Sequence, residues 1–360
     1  MQALDADSYQ IPTETPESDG TLCWNSTTLL VVHAHAGAQV GLGYSYTHAA
    51  AGLLVRDVLD PTIRGMDALD IGAAWDAMRN AVRNIGQGGL AATAIAAVDT
   101  ALWDLKARLL GVPLVTLFGA RRQQVEVYGS GGFTSSTEAE LREQLGGWAA
   151  AGMRRVKMKI GRTPERDLSR VHAVRDAIGP DVELFVDANG AFTRKQALGF
   201  AERQASAELD VTWFEEPVSS NDLEGLRLLR DRVPAGMAIA AGEYGYDVAY
   251  FRRMLEAGAV DVLQADATRC AGYTGFLEAA ALCAAHEIPL SAHTAPLLHL
   301  PVCYAAPRVL HLEYFEDHAR IERRFFDGVP VPEDGVLRPR RDAPGLGVAL
   351  KRADIERYRV

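Results

Sequence analysis

Seven polar side chains recur at nearly regular intervals. Lys159 in VKMKI, Asp187 in LFVDAN, Glu215 in WFEEP and Glu243 in IAAGE are each 28 residues apart. Asp266 in VLQAD follows after 23 residues, His293 in PLSAH after 27 and Glu313 in LHLEYF after 20. Asp187, Glu215 and Glu243 close consecutive apolar runs. Three carboxylates brought to one rim repel, because burial and like charge each disfavour ionisation. A hard divalent cation resolves that repulsion, and an all-oxygen donor set points to Mg²⁺ rather than Zn²⁺. Glu216 is expected to lie off the metal, since adjacent strand residues face opposite ways. Lys157 and Lys159 are two apart and share a face. A buried lysine beside another cation is expected to have a lowered pKa and to act as a base near neutrality. Asp266 and His293 end neighbouring runs, so the carboxylate can hold one ring nitrogen and aim the other at a substrate. Glu313 lies across the ring from Glu215, placed to hydrogen-bond a substrate oxygen away from the metal. Taken singly, each acid reads equally as a helix cap or salt-bridge partner, and the KxK pair as a solvated one. His299 and His311 are read as structural.

What must position these residues is a set of alternating strands and helices. Each of the seven ends a short apolar run, and each run precedes a stretch with helical periodicity. Eight strands are expected at 125–129, 156–160, 183–187, 212–215, 238–242, 261–265, 289–292 and 310–314. Such a ring presents its chemistry at the C-terminal rim of a (β/α)₈ barrel. The segments between, among them AELREQLGGWAAAG, DLSRVHAVRDAIG and TGFLEAAALCAAH, read as helices. Residues 1–122 read instead as an α+β domain. TTLLVVHAHAG and AQVGLGYSY are strands, and LAATAIAAVDTALWDLKARLLG is a helix stopped by Gly111 and Pro113. The barrel is expected over 123–322, and the segment 323–360 to return to the N-terminal domain. The fold class is therefore α/β, a modified (β/α)₈ TIM barrel with an α+β cap.

Bulk properties agree with a soluble enzyme. The chain has 360 residues, 48% of them hydrophobic, with net charge −10 and a pI near 5.4. The acidic balance disfavours nucleic acid. Cys23, Cys270, Cys283 and Cys303 form no CxxC pair and are expected to be free thiols in a reducing compartment. No signal peptide and no membrane span are expected, and the location is expected to be cytoplasmic. GLGYSY at Gly41 lacks the third glycine and the βαβ context of a dinucleotide site.

The motifs VKMKIG, VDANG, WFEEP, AAGE, LQAD, SAH and HLE, in this order and spacing, resemble the enolase superfamily and within it the mandelate racemase subgroup. The resemblance covers nearly the whole chain. It implies Lys159 as one acid/base and His293, supported by Asp266, as the other. It implies Asp187, Glu215 and Glu243 as Mg²⁺ ligands and Glu313 as an electrophilic partner of the substrate carboxylate. Lys157 would contact that carboxylate and tune Lys159. The implied chemistry is removal of the proton α to a carboxylate through an ene-diolate, whose charge Mg²⁺, Lys157 and Glu313 (if protonated) would stabilise.

The segment from Ile11 to Trp24 is read as a polar loop over the barrel mouth, preceding the first clear strand. Residues 1–55 contain no Lys or Arg, so a second substrate carboxylate has no cation there, although Arg162 and Arg269 on barrel loops could supply one. Dehydration of an aldonate-type acid sugar to a 2-keto-3-deoxy acid is therefore expected. A racemase or epimerase using the same residues is the alternative, and a non-catalytic carboxylate-binding barrel ranks below both. A small-molecule carboxylate substrate, no nucleic-acid or membrane partner, and a homo-oligomer complete the expectations.

Overall fold

The computed structural model describes residues 1–360. Three antiparallel strands open the chain: β1 (Ala3–Ser18), β2 (Cys23–Ala36) and β3 (Gln39–Tyr46), in the order β1-β2-β3. This corrects the expectation of a loop between Ile11 and Trp24. That segment is a hairpin whose register shifts between Pro12 and Glu17 and resumes at Glu17↔Trp24. Pro12 and Pro16 fall within β1. An edge strand with a bulge tolerates them, because the missing N–H falls outside the ladder. Asp19 Oδ1 closes the tip by accepting from the backbone N–H groups of Thr21 and Leu22.

The long helix α1 (Leu90–Leu110) lies on β3. A Cβ at Gly41 or Gly43 would overlap the carbonyl oxygens of Ala101 or Ala97, so the helix backbone rests directly on the strand. That close approach accounts for the glycines of GLGYSY. Gly111, at φ 69°, ends the helix.

Eight parallel strands follow: β4 (Val125–Ser130), β5 (Arg155–Lys159), β6 (Glu183–Asp187), β7 (Val211–Glu215), β8 (Ala238–Ala241), β9 (Val262–Ala265), β10 (Leu290–Ala292) and β11 (Val309–Phe315). Pairing of Leu312 with Val127 closes the ring between β11 and β4. Helices fill the crossovers and cover the outside, so the outer faces of the strands are apolar. Two of these helices begin with reciprocal caps, Thr137 with Glu140 and Thr193 with Gln196. The crossover helix Pro296–Ala305 has no amphipathic stripe and carries Pro301 inside it. It is buried on every side, which removes the periodicity that marks its neighbours in sequence. Inside the barrel, Tyr128, Phe185, Trp213, Ala240 and Val262 form a small separate core.

After the helix Glu316–Phe325 the chain returns to the N-terminal sheet. Val360 N–H donates to Ser8 O, and Arg359 pairs with Asp7. Leu346 N–H donates to Asp104 on α1 at 2.6 Å. On the way, Val336–Leu337 pairs antiparallel with β4. The fold is a modified (β/α)₈ barrel with an α+β cap built from both chain ends. No helix is long and apolar enough to cross a membrane.

Candidate active site

Parallel pairing alone sets the centre of the site. Lys159, Asp187 and Glu215 stand opposite one another on β5, β6 and β7. Asp266 and His293 follow directly on β9 and β10, Glu243 comes after β8 with Gly242 between, and Glu313 lies within β11. All seven, with Lys157, are buried at the C-terminal rim.

The carboxylates of Asp187, Glu215 and Glu243 each offer an oxygen, and these oxygens lie within 4.8 Å of one another. Glu215 is held firmly. Trp213 Nε1 and Gln264 Nε2 donate to its Oε2 at 2.9 Å each, and Lys157 Nζ donates to its Oε1 at 2.5 Å. Burial, then the Asp187 charge, push its carboxyl up to about 8. Asp187 pairs with Lys159 and accepts from Asn189 N–H at 2.9 Å. Burial opposes its ionisation, but the two lysines hold its carboxyl below the ordinary value. Glu243 takes Arg269 on Oε1 at 3.1 Å. Its Oε2 lies 3.2 Å from His293 Nε2 but outside hydrogen-bonding geometry, so that buried oxygen has no donor. Asn189 Oδ1 is also buried without a partner. Three converging carboxylates, with the donor-less oxygens of Asn189 and Glu243 beside them, fit a hard cation.

His293 Nδ1 lies 2.8 Å from Asp266 Oδ2. Burial favours the neutral ring, but Glu243 and Asp266 outweigh it and hold His293 up at about 10. The dyad therefore presents an imidazolium. Asp266 is itself fixed by Thr268 N–H and Oγ1, both at 2.7 Å.

One expectation about charge needs correction. Lys159 does not have a lowered pKa. Burial and Lys157 push it down, but Asp187, Glu215 and Glu313 together outweigh them and raise it. For Glu313, whose protonation the sequence leaves open, the ionised form is favoured. Burial opposes this, but Lys157 at 2.8 Å and His293 hold its carboxyl down at about 2. Glu216 is not among the three carboxylates whose oxygens converge, in keeping with its expected place off the metal. The chain leaves the strand there, with φ 35°, so strand alternation no longer sets the side chain's direction. Burial, then the Glu243 charge, push its carboxyl well above the ordinary range, and its Oε1 is buried without a partner.

His299 and His311 are structural. His299 bridges Ala267 N–H and Ala295 O. His311 packs among Tyr128, Phe185 and Trp213. The four cysteines are free. Of the two loop arginines, Arg269 faces the site and is already engaged by Glu243 and Asp266, whereas Arg162 contacts the Cys23 sulfur.

Sequence reasoning did not single out Ser130, Gln264, Tyr46 or His318. Ser130 ends β4, the one barrel strand that contributes none of the ionisable residues at the rim, and its hydroxyl donates to Glu313 at 2.6 Å. A cavity of about 660 Å³ joins the two parts of the molecule. Lys159, Asn189, Glu243, Arg269, His293 and Glu313 line its floor, and Asp19, Trp24, Ser26, Thr28, Tyr46 and Thr47 its roof.

The sequence model for the mandelate racemase/muconate lactonizing enzyme N-terminal domain matches residues 11–119, and that described as enolase C-terminal domain-like matches 140–354. The chain belongs to the mandelate racemase subgroup of the enolase superfamily. Among members, a 3,6-anhydro-alpha-L-galactonate cycloisomerase from Streptomyces coelicolor is 34% identical over 99% of this chain and 98% of its own. The L-talarate/galactarate dehydratase of Salmonella typhimurium is 31% identical over 85% and 79%. A mandelate racemase/muconate lactonizing enzyme-like protein from Rubrobacter xylanophilus superposes with a TM-score of 0.97 at 54% identity, covering 100% and 99% of the two chains. A racemase from Streptomyces coelicolor with bound magnesium gives 0.93 at 32% identity, covering 100% and 99%.

Proposed function

We propose that this protein removes the proton α to the carboxylate of an acid sugar and expels the oxygen on the neighbouring β-carbon, giving a 2-keto-3-deoxy acid. The observation that carries this reading is the placement of Lys159 and the His293–Asp266 dyad on one cavity floor, from β5 and β10, with the three-carboxylate cluster on the strands between them. The acid-sugar dehydratases and cycloisomerases among its relatives support the substrate class.

Asp187, Glu215 and Glu243 would hold the Mg²⁺. Bound there, the ion would supply positive charge to the substrate carboxylate as negative charge accumulates on it. Lys157, fixed between Glu215 and Glu313, adds a second cation beneath the same carboxylate. One base breaks the α-C–H bond and the electron pair moves into the carboxylate. The pair returns to form the C2–C3 double bond as the C3–O bond breaks. His293, as imidazolium, protonates the departing oxygen, and Asp266 stabilises the dyad throughout. The enol then takes a proton at C3 and becomes the ketone.

If the departing oxygen is a hydroxyl, water is lost and the enzyme is a dehydratase acting on an aldonate. If it belongs to a ring, the ring opens and the product is an isomer of the substrate. The full-length likeness to a cycloisomerase favours keeping this second reading. The test is a panel of aldonates, aldarates and anhydro-sugar acids with Mg²⁺, scored with semicarbazide for 2-keto products and by mass for loss of water. In deuterium oxide the product gains deuterium at C3. Inversion at the α-carbon without a keto product would replace this reading with a racemase. Binding without any α-proton exchange would leave only a carboxylate-binding barrel.

A further inference from the structure

Two imidazoles in the cavity are not used by the chemistry above, His48 and His318; His48 is exposed and accepts from its near neighbour Ala50 N–H through Nδ1. His318 stands at the start of the helix Glu316–Phe325 and lines the cavity. Its ring lies flat on Tyr46, with centroids 3.4 Å apart and planes 9° from parallel. Phe315 meets it edge-on at 5.0 Å. Ala295 N–H donates to its Nδ1 at 3.3 Å, which requires Nδ1 to be an acceptor and puts the ring proton on Nε2. The ring is thus clamped by its neighbours with its tautomer fixed, while Nε2 has no partner in the protein. Burial, reinforced by His293 and Arg269 against Asp266, keeps the ring neutral. Around it, the roof supplies the hydroxyls of Ser26, Thr28 and Thr47, the exposed imidazole of His48, and no Lys or Arg. The three cations of the floor, Lys159, Arg269 and His293, each already face a carboxylate.

We propose that His318 reads the uncharged end of the substrate, donating its Nε2–H to the terminal hydroxyl of a sugar monoacid. The proposal rests on the acid-sugar reading above and narrows it. A second carboxylate at this end would be desolvated with no free cation to receive it. A hydroxyl costs far less to bury and matches a neutral donor.

The test compares D-galactonate, its 6-deoxy counterpart D-fuconate, and the diacid galactarate. Binding to the Mg²⁺-loaded protein is read by calorimetry, and KM and kcat by keto-acid formation. His318→Phe keeps the stack on Tyr46 and removes the donor. It should weaken D-galactonate binding by about 5-fold, the loss of one neutral hydrogen bond, with the effect falling on KM more than on kcat. His318→Gln should recover part of the loss. D-Fuconate should bind wild type more weakly than D-galactonate and be indifferent to His318→Phe. Equal binding of D-galactonate to wild type and His318→Phe would overturn the proposal. So would an equal loss for D-fuconate, which would make the ring a packing element only, or tighter binding of galactarate than of D-galactonate. If His318→Phe does not fold, the three-ligand series on wild type decides alone. Keto-acid formation without an effect of His318 sinks this proposal and leaves the reaction standing. The expected binding pattern without any keto product does the reverse.

Discussion

Lys157 and Lys159 share one face of β5, yet the carboxylates around them decide their charge. Lys157 is shared between Glu215 and Glu313, and Lys159 is paired to Asp187. Free bases would need those anions to be occupied elsewhere, and a divalent ion on Asp187 and Glu215 would do that. The two candidate bases can be separated by mutation. Lys159→Ala and His293→Asn should each abolish turnover. One of the two variants should still exchange the substrate α-proton with deuterium, since the remaining base works on its own face. NMR of recovered substrate reads this, and near-normal rates in both variants would place the catalytic pair elsewhere. Asp266→Asn should slow turnover by up to roughly 10²–10⁴-fold, the range of general acid–base help. Steady-state kinetics at saturating Mg²⁺ check it, and an unchanged rate would remove Asp266 from the dyad's function.

Packing of α1 on β3 leaves no room for a side chain at Gly43. Gly43→Ala would force the helix outward and should cost about 1–3 kcal/mol, the usual penalty of overpacking. Denaturant unfolding measures this, and an unaltered midpoint would contradict the contact. A second element-level device is Glu322, in the helix that leads back to the cap. It accepts from Tyr44 Oη at 2.6 Å and from Leu297 N–H at 3.0 Å. Burial pushes its carboxyl from 4.5 up to about 8. Between those two values the folded protein keeps a proton that the unfolded chain releases. Stability from this group therefore falls as pH rises from about 4.5 to about 8, and levels off beyond. Glu322→Gln should flatten that part of the profile and melt above wild type at pH 8 to 9. Thermal melts across pH 5 to 9 test it, and parallel curves for the two proteins would refute it.

At the scale of the molecule, the cavity exists only because cap and barrel meet. The hairpin tip brings Asp19 and Trp24 over strands whose ends carry the charged residues. Three carboxylates held together at the centre store repulsion that a bound cation relieves. Mg²⁺ at a hundred times its Kd should stabilise the fold by about 2.7 kcal/mol, seen as a rise in Tm that EDTA reverses. Glu215→Gln should lose most of that rise while remaining folded. An identical Mg²⁺ response in wild type and Glu215→Gln would place the ion elsewhere.

The barrel was legible because its signal is covalent spacing. A crossover of fixed length returns each apolar run to the same rim, so regular intervals between Lys159, Asp187, Glu215 and Glu243 translate directly into neighbouring strand ends. The positions of Asp266, His293 and Glu313 followed for the same reason. What spacing does not carry is charge state and contact across the fold. Whether Glu313 is ionised depends on Lys157, 156 residues earlier in the chain, and the direction of Glu216 depends on where β7 ends. The hairpin from Ile11 to Trp24 was obscured because its prolines sit at an edge and a bulge, features that only the neighbouring strand defines. His318 offers no spacing or motif at all. Its tautomer is set by Ala295 and its plane by Tyr46, so only the folded chain could make it a donor.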